Sequence, residues 1–275
     1  MRTMLWAGLV ACFFGALASA PAAEENITID GSTTVGPIAK AFAEYYMSLH
    51  PEVNITVSES GSGNGAKSLI NGTCDIANMS RFMKENEVQA ALEKGVVPVP
   101  HVVAMDGIAI IVHPSNPVRE VTIDQLRAIY LGQITNWSEL GGPSKQIVAI
   151  SRDTNSGTYE TFEQLVMDQQ KMAEDVEYVG SNGGVRQKVQ STPVAIGYVG
   201  LGFADRTVKA LNVNGVEPSR QTVASGLYPI ARALFMFTRG YPDLGTPVHA
   251  FITLHLTRKG EEIISAIGFV PVTEY

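Results

Sequence analysis

Three times along this chain a β-type run feeds a cluster of Ser, Thr and Gly that then opens a helical stretch. The segments are "ITIDGSTTVGPIAKAF" (27–42), "ITVSESGSGNGAKSLI" (55–70) and "IVAISRDTNSGTYETF" (147–162), with a weaker fourth case in "VGSNGGVRQKV" (179–189). This recurrence restricts the fold more than any bulk property does. Each cluster lies where a strand's carboxyl end turns into a helix N-terminus, which is where open α/β sheets bind ligands. Free N–H groups and the positive end of the macrodipole make such helix ends anion sites. Ser and Thr are also favoured N-caps, and Pro37 suits a first helical turn. One cluster alone therefore reads as a cap. Three clusters, each with more hydroxyls and glycines than a cap needs, point to a shared small anion rich in acceptors.

The rest of the chain supports an α/β architecture. Strands are expected at 26–30, 53–58, 107–113, 146–151, 194–199 and 232–238. Helical periodicity occupies Ile38–Leu49, Val88–Leu92, Ile123–Leu131, Tyr159–Met167, Val185–Val189 and Val248–Leu256. Such alternation predicts largely parallel sheets. The octet "GSGNGAKS" (61–68) is one residue from a nucleotide P-loop, with Ala66 where glycine is required. No apolar strand ending in a Walker-B aspartate accompanies it, and Lys67 is expected on the helix surface.

The N-terminus, "MRTMLWAGLVACFFGALASAPAAEEN", has one Arg, an apolar run and a string of small residues before the first acids. That is the layout of a secretory signal peptide over residues 1–23; a retained membrane anchor and a lipid on Cys12 are the alternatives. The remaining 252 residues carry 19 Lys+Arg against 27 Asp+Glu, a net charge of −8. Without a basic tract, binding of nucleic acid by counterion release is not expected. Only Cys74 remains, read as a buried strand residue, so no internal disulfide forms. The five histidines lack metal-ligand spacing, and no metal or cofactor is expected. Anion attraction must then be local, from fixed donors. Arg152, beside Asp153 and four residues before Ser156, is the basic residue that stands out.

The segments "DGSTTVGPIAKAF", "SGSGNGAKSLINGTCDIANMSR", "DGIAIIVHPSNPV", "LRAIYLGQITNWSELGG", "SRDTNSGTYETF" and "STPVAIGYVGLGF" together resemble the extracytoplasmic phosphate-binding proteins of phosphate-specific ABC transporters, in particular their short branch. The resemblance implies a two-lobed periplasmic-binding-protein (Venus-flytrap) fold with mixed, mostly parallel sheets. Two crossover strands would lie near 102–107 and 227–232. Lobe one would comprise 24–103 plus 230–275, and lobe two 104–229. It also implies a non-enzymatic, monomeric receptor that captures inorganic phosphate and delivers it to a membrane permease. Carried over residue by residue, the site would comprise Thr33 and Thr34, Ser62, Ser156, Gly157, Thr158 and Arg152, with Ser80 and Arg81 at a further contact.

Two departures bear on selectivity. Longer family members are expected to carry aspartates where this chain has Ser80 and Thr154. The first of these accepts the proton that distinguishes hydrogen phosphate from sulfate, and a serine hydroxyl both accepts and donates. A receptor for sulfate, molybdate or tungstate is therefore the alternative. A secreted phosphoester hydrolase would need a base or metal beside Ser62 or Ser156; only Asp153 is near. Asp75 reads as structural.

Overall fold

The computed structural model describes residues 25–273. The stretch read as a signal peptide lies outside them. The chain runs β1 (Glu25–Gly31), α1 (Gly36–Leu49), β2 (Val53–Val57), α2 (Ser62–Asn71), β3 (Ile76–Met79), α3 (Glu85–Glu93) and β4 (Pro98–Val112). It continues through β5 (Glu120–Val121), α4 (Ile123–Tyr130), β6 (Val148–Arg152), α5 (Gly157–Leu165), β7 (Glu177–Val179), α6 (Asn182–Ser191), β8 (Ala195–Gly200) and β9 (Lys209–Val213). It closes with α7 (Arg220–Ala224), β10 (Ala231–Arg239), α8 (Pro247–Ile252) and α9 (Arg258–Ile267).

The strands hydrogen-bond in the order β2-β1-β3-β10-β4-β8-β6-β7, with β9 also on β4 and β5 on β9. At either end the pairings β1–β2, β1–β3, β6–β7 and β6–β8 are parallel, as βαβ alternation requires. The middle is antiparallel: β10 pairs with both β3 and β4, and β4 with β8 and β9. The sheet is thus mixed, as the two-lobed fold implies, with its antiparallel pairings gathered at the centre. Strand β4 also begins nine residues before the run expected at 107–113. Pro98 and Pro100 hid its first half, yet that half pairs with β10 on both sides of a register shift at Leu234/Phe235, with the prolines opposite Arg239 and Phe237.

Two sets of apolar cores flank this central pair. One gathers Ile27, Ile29, Ile38, Phe42, Val103, Ala104, Leu234 and Phe251, with Leu69, Met79 and Phe237 in an adjoining cluster. The other gathers Ile108, Ile110, Tyr130, Trp137, Phe162 and Tyr198, with Ile150, Val185 and Val199 adjoining. Strand β4 passes from one set to the other between Ala104 and Ile108, and the architecture is a two-lobed α/β fold. In the second core Phe162 stacks face to face on Tyr198, centroids 3.9 Å apart. The buried Trp137 indole donates to the Val194 carbonyl at 2.9 Å, so its polar edge is satisfied as burial demands.

The expected C-terminal helix 248–256 is instead α8 and a 3-10 turn at 254–256, and α9 follows. Thr257 breaks the run because its hydroxyl takes the Gly260 N–H and starts a new helix. Cys74 is buried but lies just before β3 and not in it, and burial pushes its thiol up to about 12. The short strands β3, β5, β7 and β9 carried no readable period. Lys67 is exposed on α2, and Asp75 accepts the Thr28 N–H at 2.8 Å, a structural role.

Candidate functional site

Four helix starts converge at the junction of the two core sets. Ser32 takes the N–H groups of Thr34 and Val35 ahead of α1. Ser156 caps α5 by accepting from Thr158 and Tyr159, and Ser181 caps α6 by accepting from Gly184. Helix α2 starts at Gly61 with no side-chain cap. Gly61 is held at φ +100°, where a side chain would be strained, and a Cβ there would meet the Asn155 carbonyl oxygen at 3.0 Å. The loops meet directly: Gly63 N–H donates to Asn155 O at 3.0 Å, and the Thr34 and Thr158 hydroxyls lie 3.0 Å apart.

Of the residues expected at the site, Thr33, Thr34, Ser62, Ser80, Arg152, Ser156, Gly157 and Thr158 gather here, the polar side chains all buried. A Cβ on Gly157 would stand 2.6 Å from both the Ser62 and Ser80 hydroxyls. Arg152 reaches in from the end of β6. Its Nε donates to Val179 O at 3.1 Å, and Nη2 to Gly180 O at 2.9 Å and Thr33 Oγ1 at 3.2 Å. Burial draws its guanidinium down to about 10, which leaves it charged at neutral pH.

Arg81 stands differently. Its guanidinium forks onto Glu87 at 2.7 and 2.8 Å and pairs through Nε with Glu160 of α5 at 2.5 Å, where Lys84 also arrives at 3.1 Å. The carboxylates hold the Arg81 guanidinium above its ordinary value despite burial. Thr154 is exposed beside the cluster.

Three buried residues at the site were not marked by the sequence. Asn182 opens α6, in the weakest of the four clusters. Its Nδ2 donates to Thr33 at 3.1 Å and Thr34 at 2.9 Å, while its Oδ1 accepts the Gly200 N–H. Arg232 on β10 and Asp106 on β4 face each other across the sheet. Arg232 Nη2 donates to Asp106 Oδ2 at 2.8 Å and to Thr158 Oγ1 at 2.9 Å. The cluster motif gave a signal for Asn182. Arg232 and Asp106 sit inside strand-like runs, and only pairing of remote strands brings them to the loops.

The hydrogen bonds assign the hydroxyls' roles. Thr33, Thr34, Ser62, Ser156 and Thr158 each accept at least one N–H from Arg152, Asn182, Arg232 or the backbone. Thr33 and Ser156 each accept two N–H groups, which leaves their protons to donate, while Thr34 and Thr158 share one proton between them. Ser80 Oγ receives no N–H among the described residues; its recorded contact is the Ser62 hydroxyl at 3.3 Å. The buried nitrogens Arg152 Nη1 and Arg232 Nη1 have no hydrogen-bond partner in the described protein. A buried cationic donor left so is costly unless an acceptor meets it.

A two-lobed fold with a buried, donor-lined and positively charged site between its cores defines a class: the binding proteins that enclose a small oxyanion. A family profile for the PBP superfamily domain matches residues 17–257. The phosphate-binding protein PstS of Bacillus subtilis (strain 168) is 34% identical over 92% of this chain and 82% of its own length. That of Borreliella burgdorferi is 31% identical over 90% of this chain and 91% of its own. A crystal structure of a putative phosphate ABC transporter substrate-binding protein with bound phosphate, from Clostridium perfringens, superposes with a TM-score of 0.84 at 32% identity, covering 90% of this chain and 100% of that one. The chain belongs to this family of phosphate-binding proteins, within the PBP superfamily.

Proposed function

We propose that this chain is an extracytoplasmic solute-binding protein that encloses inorganic phosphate between two lobes and delivers it to an ABC permease, without catalysis and as a monomer. The single observation that carries the reading is the pair of buried guanidinium nitrogens, Arg152 Nη1 and Arg232 Nη1, that lack acceptors beside a cluster of buried hydroxyls. A tetrahedral oxyanion supplies the acceptors they need, through charge-assisted bonds of the strong kind. The relatives named for phosphate binding support that choice of anion.

In this reading Thr33, Thr34, Ser62, Ser156, Thr158 and the Gly157 backbone surround the anion with Arg152. Ser80, whose lone pairs are open, takes the proton of hydrogen phosphate. Arg81 acts from the rim, through Glu160. The lobes are 24–103 plus 230–275 and 104–229, and opening about β4 and β10 admits the ligand. Among the described residues the nearby carboxylates are engaged, Asp106 by Arg232 and Asp153 by the Asn155 N–H, which argues against a general base for Ser62 or Ser156.

Calorimetric titration of the ligand-stripped protein with phosphate, repeated in excess sulfate, tests the reading. Tight phosphate binding that sulfate does not displace is expected. Comparable affinity for sulfate, or no binding of phosphate, would sink the phosphate assignment.

A further inference from the structure

Arg232 is held in an unusual way for a residue of a sheet ion pair. It and Asp106 are direct partners across β10 and β4, yet both its Nε (3.1 Å) and Nη2 (2.8 Å) converge on a single carboxylate oxygen, Oδ2. The other oxygen, Oδ1, is given to the Leu201 N–H at 2.9 Å. Nη2 also serves Thr158 at 2.9 Å and lies 3.5 Å from Thr34, hydroxyls that precede or open α1 and α5. Nη1 is left over, buried and unpartnered. A bidentate pair that served the sheet alone would spread Nε and Nη2 over both carboxylate oxygens. Here Oδ1 is taken by the backbone, Nη2 reaches on to the anion loops, and Nη1 is left without a partner.

Arg152 repeats the pattern from β6: two nitrogens anchored on the protein, Nη1 unpartnered. The charged groups at the site are therefore Arg152 on β6 with Asp153 beside it, Arg232 on β10 and Asp106 on β4, with the phenols of Tyr198 on β8 and Tyr228 close by. Each guanidinium has one carboxylate near it, and the starts of α2, α5 and α6 add partial positive charge. The attraction between a fixed cation and a ligand grows in proportion to the ligand's charge. A second guanidinium therefore helps a doubly charged oxyanion about twice as much as a singly charged one.

We propose, resting on the phosphate reading, that Arg232 is the charge-selecting residue of the site: fixed by Asp106 at the centre of the sheet, it favours oxyanions carrying two negative charges over those carrying one. The test is titration with phosphate above and below its second ionisation, with sulfate, doubly charged at both, as the control for changes in the protein. It compares the wild-type chain with Arg232→Gln and with the double variant Asp106→Asn/Arg232→Gln. The double variant swaps the ion pair for two amides and leaves no charge buried alone.

In the wild type, phosphate should weaken on passing to the monoanion while sulfate does not. In the variants the dianion should bind about 10- to 100-fold more weakly, and the wild-type gap between dianion and monoanion should shrink by about tenfold. Arg232→Lys should recover part of that gap. An unchanged dianion affinity, or a gap as wide in the variants as in the wild type, would overturn the assignment. Wild-type binding of sulfate without phosphate would instead remove the phosphate reading; the Arg232 effect would then be read on sulfate affinity alone.

Discussion

At the residue scale, the site is made of hydroxyls that each already accept at least one N–H from the protein, Ser80 excepted. That arrangement separates Ser80 from its neighbours. Ser80→Ala should weaken phosphate by about 2- to 10-fold, the worth of one neutral hydrogen bond, and leave sulfate affinity unchanged; competition calorimetry reads both. Equal losses for the two anions would mean that Ser80 only shapes the pocket. Gly157 makes a complementary case. Its absent Cβ is the space in which the Ser62 and Ser80 hydroxyls stand, 2.6 Å from where a methyl would be. Gly157→Ala should cost about 1–3 kcal/mol of binding through overpacking, roughly 5- to 150-fold in Kd. In the opening proposed above the loops separate, so the melting temperature of the ligand-free protein should hardly move.

At the element scale, caps and anion loops use the same chemistry, and the structure separates them. Thr122 caps α4 in a reciprocal box with Gln125, far from the site. Thr122→Ala should lower stability by about 1 kcal/mol, a shift of about 2–4 °C in a protein of this size, with phosphate affinity untouched. Ser156→Ala removes the cap of α5 and a hydroxyl of the site together, so it should lower both. Thermal melts with and without phosphate distinguish the two variants. The sequence showed three of these helix starts plainly because N-terminal clusters are local. It showed α6 faintly, and Asn182 with it, because a single Asn in a Gly-rich turn carries the same local signal whether or not it faces a ligand.

At the scale of the whole molecule, the site exists only where two sets of cores meet. Beyond the loops, Arg81 and Lys84 reach from the first set to Glu160 on α5 of the second. Burial pushes the Glu160 carboxyl up, against the pull of both cations. Glu160→Gln removes the charge that ties the rim and should weaken phosphate by about fivefold, near the upper value for a partly exposed pair. It should act mainly by speeding dissociation. Stopped-flow release of phosphate reads the rate. Small-angle scattering should show the ligand-free variant with the same radius of gyration as the ligand-free wild type, as the proposed opening about β4 and β10 requires of a tie made only in the closed state. A variant with unchanged release would show that the rim does not hold the lobes.

The sequence by itself determined what local chemistry encodes: the alternation of strands and helices, the helix starts rich in Ser, Thr and Gly, Arg152 at a strand end, and the family those segments resemble. Periodicity and turn residues act over a few positions, so they survive in one dimension. The antiparallel centre of the sheet, the early start of β4 behind its prolines, the turn of Arg81 toward Glu87 and Glu160, and the facing of Arg232 and Asp106 were decided by the tertiary structure alone. Arg232 and Asp106 are separated by 126 positions. No local pattern links them, because what joins them is strand register, and register is fixed by which cores the two strands must cover.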